Sequence, residues 1–147
     1  MEEKFMKEAL KEAKKAYEKL EIPVGAVIVK NNKIIARAHN LKETKKTATA
    51  HAEILAIQKA NKKLDNWRLL DCDMYVTLEP CEMCMGAAVS SRIKNLYIGT
   101  IDPKKKCKID VEKYKEQYGI NITIGIMKNE CEYILKDFFK NLRKNGG

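Results

Sequence analysis

Two cysteines three positions apart, Cys81 and Cys84, follow Pro80 in Leu78-Glu79-Pro80-Cys81-Glu82-Met83-Cys84, and His51-Ala52-Glu53 stands well upstream. A C-x-x-C pair can close on one metal ion, and a distant histidine adds a third ligand. A zinc ion with three protein ligands leaves its fourth position to water, the arrangement of a catalytic site. Glu53 comes two residues after His51, where a carboxylate can carry protons to and from that water. His51, Cys81 and Cys84 are therefore the candidate ligands of one zinc ion per chain, and Glu53 is the candidate acid–base. The chemistry this set implies is hydrolytic.

Each feature also has a plainer reading. A C-x-x-C pair commonly belongs to a structural zinc site, but such sites complete four protein ligands. Cys72, Cys107 and Cys131 are scattered singletons and supply no second pair. Metal-free redox chemistry is the other use of C-x-x-C, and the upstream His-x-Glu favours metal over it. His39 is the second of two histidines; it has no motif partner and reads as structural or solvent-facing.

The elements that must position these groups follow from periodicity. Residues 2–20 place Phe5, Ala9, Ala13, Ala16, Tyr17 and Leu20 at helical spacing among Lys and Glu. Val24 to Val29 is an apolar β-branched run, as expected of a strand covered on both faces. Asn31-Asn32 supplies turn chemistry, and Lys33 to His39 returns as the second strand of a hairpin. Asn40 to Thr47 is polar and reads as a loop. A helix over Ala50 to Lys63, with Ile54, Leu55, Ile57 and Ala60 facing the core, carries His51 and Glu53 in its first turn. Asp71 to Glu79 is a buried strand, and Pro80 opens the helix that carries both cysteines. Both ligand groups thus fall at helix N-termini, where the dipole should favour thiolate over thiol. A strand over Asn95 to Thr100, a basic loop Asp102 to Lys108, and a modest helix over 109–117 follow. In Ile120, Ile122, Ile124 and Ile126 strict alternation predicts a strand with one buried face. A final helix from Glu130 has Cys131, Ile134, Leu135, Phe138 and Leu142 as its stripe. The order α-β-β-α-β-α-β-α-β-α implies an α/β three-layer α-β-α sandwich around one five-stranded mixed sheet, a single domain over residues 1–147.

At 147 residues the chain can bury a real core, and its 45% apolar and 33% charged residues are ordinary for a soluble globular protein. No apolar run approaches the roughly 20 residues of a membrane-spanning helix, and the charged amphipathic start has no signal-peptide core. A cytoplasmic location follows. Five cysteines, an odd number, argue for reduced thiols in place of a disulfide scaffold. A net charge of +9 suits an anionic partner, nucleic acid above all, though a lysine-rich face that keeps the protein soluble gives the same total.

The paired motifs H-x-E and P-C-x-x-C, in that order, are the signature of zinc deaminases acting on nucleobases, in which the glutamate is not a ligand. Around them the sequence resembles the bacterial tRNA adenosine deaminase family over nearly its whole length. The resemblance is carried by Pro23-Val24-Gly25-Ala26-Val27, Asn40, Thr49 to Ile54, Leu78 to Ala87 around both cysteines, Ser91-Arg92-Ile93, Gly99-x-x-Asp102-Pro103, Glu130-Cys131 and Asp137-Phe138-Phe139. It implies inosine formation at the wobble position of an anticodon stem-loop, a cytidine-deaminase-like fold with strand order 2-1-3-4-5, and a homodimer. It also implies that Asn40 binds the flipped base, that Val24, Leu78, Ala52 and Pro80 line its pocket, and that Asp102 lies by the ribose. Lys104, Lys105, Lys106, Phe138, Phe139, Lys140 and Arg143 fall in segments that meet RNA in the family.

The sequence departs from the family at Lys104 to Asp110, where small residues are usual, and at Lys140, where arginine is usual. The departures bear on substrate identity and leave the chemistry intact. A deaminase of a free base such as guanine or cytosine is the first alternative; the positive charge and Phe138-Phe139 weigh against it, and the altered loop from Lys104 weighs for it. A riboflavin-pathway enzyme would commonly need a reductase domain for which this chain has no room. A non-catalytic RNA-binding subunit of the superfamily would typically lack the glutamate found here as Glu53.

Overall fold

The computed structural model describes residues 2–104 and 109–144. Five strands, β1 (Gly25–Lys30), β2 (Lys33–His39), β3 (Cys72–Leu78), β4 (Asn95–Thr100) and β5 (Asn121–Ile124), form one sheet of order β2-β1-β3-β4-β5. β1 is antiparallel to β2 and β3, while β3, β4 and β5 run parallel. The mixed sheet and its order are as expected. Asn31 and Asn32 both take positive φ, 52° and 61°, as a tight hairpin turn requires.

Strand alternation divides the core in two. Ala26 and Ile28 of β1 and Met74 and Val76 of β3 face α3 (Ala52–Leu64) and α4 (Glu82–Ser90), in a cluster with Ala56, Ile57, Ala60, Met85 and Ala88. Val27, Val29 and Tyr75 point the other way, onto Phe5, Met6 and Ala9 of α1 (Glu2–Glu18) and Cys131 of α6 (Lys128–Lys144). Helices thus cover both faces, and α5 (Val111–Tyr118) packs beside β5. This explains the uninterrupted apolar run of β1, which has no solvent face.

Local details differ from the sequence reading. The expected loop 40–47 contains one helical turn, α2 (Lys42–Lys45). The α3 helix begins at Ala52 and turns Ala52, Glu53, Ala56, Ile57 and Ala60 inward, leaving Ile54 and Leu55 half-buried. The α1 stripe stops short of Leu20, which lies past the helix end in a left-handed conformation, 73% exposed. Leu142 on α6 is exposed too. The four isoleucines do not share one buried face. Ile120 and Ile122 pack with the α3/α4 cluster, Ile124 is exposed on the edge strand, and Ile126 joins the α1 cluster. The switch occurs at Gly125, whose φ of 105° takes the chain out of the strand and across the sheet edge.

Candidate active site

His51 and Cys81 are the N-caps of α3 and α4, both with extended backbone and neither making a side-chain capping bond. Pro80 precedes α4 instead of opening it. Cys84 lies in the first turn of α4 and is fully buried. The two helix starts meet beyond the end of β3. His51 Nδ1 lies 3.8 Å from Cys81 Sγ and 3.6 Å from Cys84 Sγ. All three ligand atoms fall within 4.8 Å of one another, the one such group among the described residues. Ligand atoms bound to a tetrahedral zinc at about 2.0–2.3 Å stand roughly 3.5–3.8 Å apart. The donor set fits a four-coordinate metal with three protein ligands.

Burial lowers the pKa of His51, with a smaller contribution from the Lys42 ammonium, which favours the neutral imidazole that ligation needs. Cys84 moves against the expectation from the helix dipole. Burial pushes its thiol far above the ordinary range, and the nearby Glu53 carboxylate and Cys81 add to the shift. Without a cation the thiol form is favoured at Cys84; a cation between the sulfurs would reverse the balance. Glu53 is itself buried, at 4% exposure, and within hydrogen-bonding reach of the Cys84 thiol. The expected acid–base thus lies against the ligand cluster.

Backbone hydrogen bonds draw the other expected site residues to the same end of the sheet. The Asn40 amide donates to the Val24 carbonyl (3.1 Å), and the Leu41 amide donates to the Ala50 carbonyl (2.9 Å) next to His51. The Gly25 amide donates to Thr77 Oγ1 (3.2 Å), which ties β1 to the end of β3 beside Leu78. Val24, Ala52 and Pro80 are buried, and Leu78 and Asp102 are half-buried. Asn40 is 9% exposed; its Nδ2 donates to the Ile22 carbonyl (3.4 Å), while its buried Oδ1 finds no partner among the described residues. A buried acceptor without a partner is what a ligand satisfies.

The residues expected to meet RNA separate. Lys105 and Lys106 lie outside the described residues. Lys104, Lys140 and Arg143 are exposed. Phe138 is a correction: it is 4% exposed and packs edge-on against Tyr17 at 5.3 Å, so it is core and closed to a ligand. Phe139 is half-buried, with Lys104 Nζ 4.9 Å from its ring centre. His39 is structural, its Nδ1 3.0 Å from Oε1 of the buried Glu12. Sequence reasoning missed three buried carboxylates, Glu12 among them. Glu21 accepts from the amides of Glu43 and Thr44 and from the Thr44 hydroxyl, and so holds α2. Glu79 does the same for the segment after β4. No sequence signal marks Glu21; Glu79 ends a buried strand inside the cysteine motif.

Residues 1–143 match the MafB19-like deaminase family. A tRNA-specific adenosine deaminase of Bacillus subtilis is 48% identical over 149 aligned residues, which span 97% of this chain and 91% of that protein. The chain belongs to the tRNA-specific adenosine deaminase family. A solved structure from a study of tRNA:A34 deaminases at the wobble position of transfer RNA overlays this deaminase with a TM-score of 0.82 at 39% identity, covering 89% of this chain and 98% of that one. A guanine deaminase from Nitrosomonas europaea overlays equally well, TM-score 0.82, at only 24% identity, over 92% of this chain and 83% of that one. The second likeness is one of fold alone, so the backbone is common to enzymes of different substrates. The fold is cytidine-deaminase-like, as expected.

Proposed function

We propose that this deaminase is a single-domain, zinc-dependent enzyme that converts adenosine to inosine at the wobble position of tRNA. One zinc ion per chain is held by His51, Cys81 and Cys84. The observation that carries the chemistry is the placement of a buried carboxylate, Glu53, against three ligand atoms whose spacing suits a tetrahedral metal. A zinc ion there supplies the Lewis acidity that makes water nucleophilic at neutral pH.

Glu53 accepts a proton from the attacking water and delivers it to the ring nitrogen beside the amine-bearing carbon. A carbon–oxygen bond forms at that carbon, and the second proton of the water passes through Glu53 to the departing amine. The carbon–nitrogen bond breaks, ammonia leaves, and the ring keeps a carbonyl. Burial serves the step, since a carboxylate out of bulk water cycles its proton between substrate atoms instead of losing it to solvent. Asn40 holds the base edge through its unsatisfied Oδ1, and Val24, Ala52, Leu78 and Pro80 form the walls around it. Asp102 meets the ribose, and Lys104, Phe139, Lys140 and Arg143, with Lys105 and Lys106, meet the stem-loop backbone.

No described helix is long and apolar enough to cross a membrane, and a tRNA substrate places the enzyme in the cytoplasm. A homodimer is supported by an open strip on α4, where Gly86 and Ser90 are exposed and nothing lies within 4 Å of a Cβ built at Gly86. The test of substrate is deamination of an anticodon stem-loop with adenosine at the wobble position, run beside free guanine, cytosine and adenosine. Inosine in the RNA is the expected product; ammonia from a free base alone moves the enzyme to nucleobase metabolism.

A further inference from the structure

We propose that Glu79 is a positioning residue that fastens the substrate-facing segment between β4 and α5 to the metal-bearing turn, and so sets RNA binding while leaving the chemical step alone. The proposal rests on the reading above, in which Asp102 and Lys104 meet the target nucleotide. Glu79 is a carboxylate with only 6% exposure, two residues before Cys81. A charged group is costly to bury unless it is well bonded, and Glu79 uses both oxygens. Its Oε1 accepts from the Asp102 amide at 3.3 Å, and its Oε2 accepts from the Ile109 amide at 2.9 Å. Its own amide donates to the Thr100 carbonyl at 2.9 Å.

One side chain therefore holds the described residues on either side of 105–108, at Asp102 and at Ile109. From each of these the order propagates. Asp102 Oδ1 accepts from the Lys104 amide at 2.9 Å, and Lys104 lies over Phe139 of α6. After Ile109, Asp110 caps α5 by accepting from the Lys113 amide at 3.1 Å. No apolar residue could replace Glu79 here, since these two amides would lose their acceptor. The consequence is geometric: Cys81, which binds the metal, and Asp102, which meets the ribose, are referenced to a single carboxylate. The two ends of the segment are thus ordered before the RNA docks, so binding does not bear the cost of ordering them. The lysine run begins at Lys104, two residues after Asp102.

The experiment compares Glu79→Gln and Glu79→Ala with the parent, all metal-loaded, by stem-loop Kd, steady-state kinetics and residue-resolved amide exchange. Gln fills the same volume but presents an amide NH2 to one of the two N–H donors, so it tests the bonds without a cavity. Both variants should keep the parent's metal content, raise the stem-loop KM and Kd about tenfold, and change kcat less than about threefold. Exchange should quicken at Asp102 and Ile109 while Gly25, held by Thr77, stays protected. Lost metal, or a fall in kcat with KM unchanged, overturns the proposal and makes Glu79 part of the metal centre. Unchanged Kd and exchange in Glu79→Gln overturn it as well. A parent protein that neither binds nor deaminates the stem-loop removes the functional reading itself, and the proposal with it.

Discussion

Replacing Gly25 with alanine should damage this protein far more than a single methyl group suggests. A Cβ at Gly25 would lie 2.0 Å from the Ala9 carbonyl oxygen, 2.5 Å from the Ala13 nitrogen and 2.8 Å from Glu12 Cβ. All three atoms belong to α1, and two are backbone, so no side-chain rotation can make room. Ordinary contact begins at 3.4 Å, which requires α1 to retreat by about 1.4 Å along the axis of the clash. That retreat opens the seam where Phe5, Met6 and Ala9 pack on Val27, Val29 and Tyr75. Overpacking of a dense core costs about 1–3 kcal/mol, and a clash with rigid backbone belongs at the upper end. For a chain of this length that is a Tm lower by roughly 10 °C. Turnover should fall too, because Gly25 follows Val24, whose carbonyl holds the Asn40 amide. Thermal unfolding followed by circular dichroism on the metal-loaded protein measures the effect. Gly86→Ala is the control: a Cβ there meets nothing within 4 Å, and alanine gains about 1 kcal/mol of helix propensity over glycine. A Gly25→Ala protein within about 2 °C of the parent would refute the close packing of α1 on β1.

Burial raises the Glu21 carboxyl, but the Thr44 hydroxyl and the amides of Thr44 and Glu43 outweigh it and hold its pKa below the ordinary 4.5. A carboxyl depressed in the folded state stabilises above its unfolded pKa, and the benefit fades as pH falls through the folded value. The Tm difference between parent and Glu21→Gln should therefore be full above about pH 5 and close at lower pH; a pH-independent difference would contradict it. Phe138→Ala should destabilise by about 3–4 kcal/mol in denaturant melts, whereas Phe139→Ala should leave stability nearly unchanged and weaken stem-loop binding. Equal stability losses in the two would undo their assignment to core and surface. Ser90→Arg on the exposed strip of α4 should shift sedimentation toward monomer while the parent stays dimeric at micromolar concentration; identical sedimentation of both removes that strip from the contact.

Much of the architecture could be read from the chain because its signals are local. The apolar run of β1 announced two covered faces, and Asn31-Asn32 announced the hairpin. The ligand set was legible because metal chemistry restricts both residue type and spacing, so His51, Cys81 and Cys84 stood out before any coordinates. What escaped was decided by tertiary contact. Glu21 and Glu79 are ordinary glutamates in sequence and become anchors only when distant amides reach them. The four isoleucines alternate perfectly, yet Gly125 turns the chain, so Ile120 and Ile122 join one cluster, Ile126 the other and Ile124 neither. Phe138 and Phe139 are adjacent and identical, and the helix phase alone sends one inward and the other outward.

The most direct test of the central claim is Glu53→Ala, assayed for bound zinc and for inosine in a wobble-adenosine stem-loop. Glu53 is assigned to proton transfer and His51, Cys81 and Cys84 to the metal, so the variant should hold one zinc per chain as the parent does. Inosine formation should fall by about three orders of magnitude or more. Zinc retained with turnover intact would contradict the role of Glu53, and zinc lost with turnover would make it a support of the metal site instead of the acid–base.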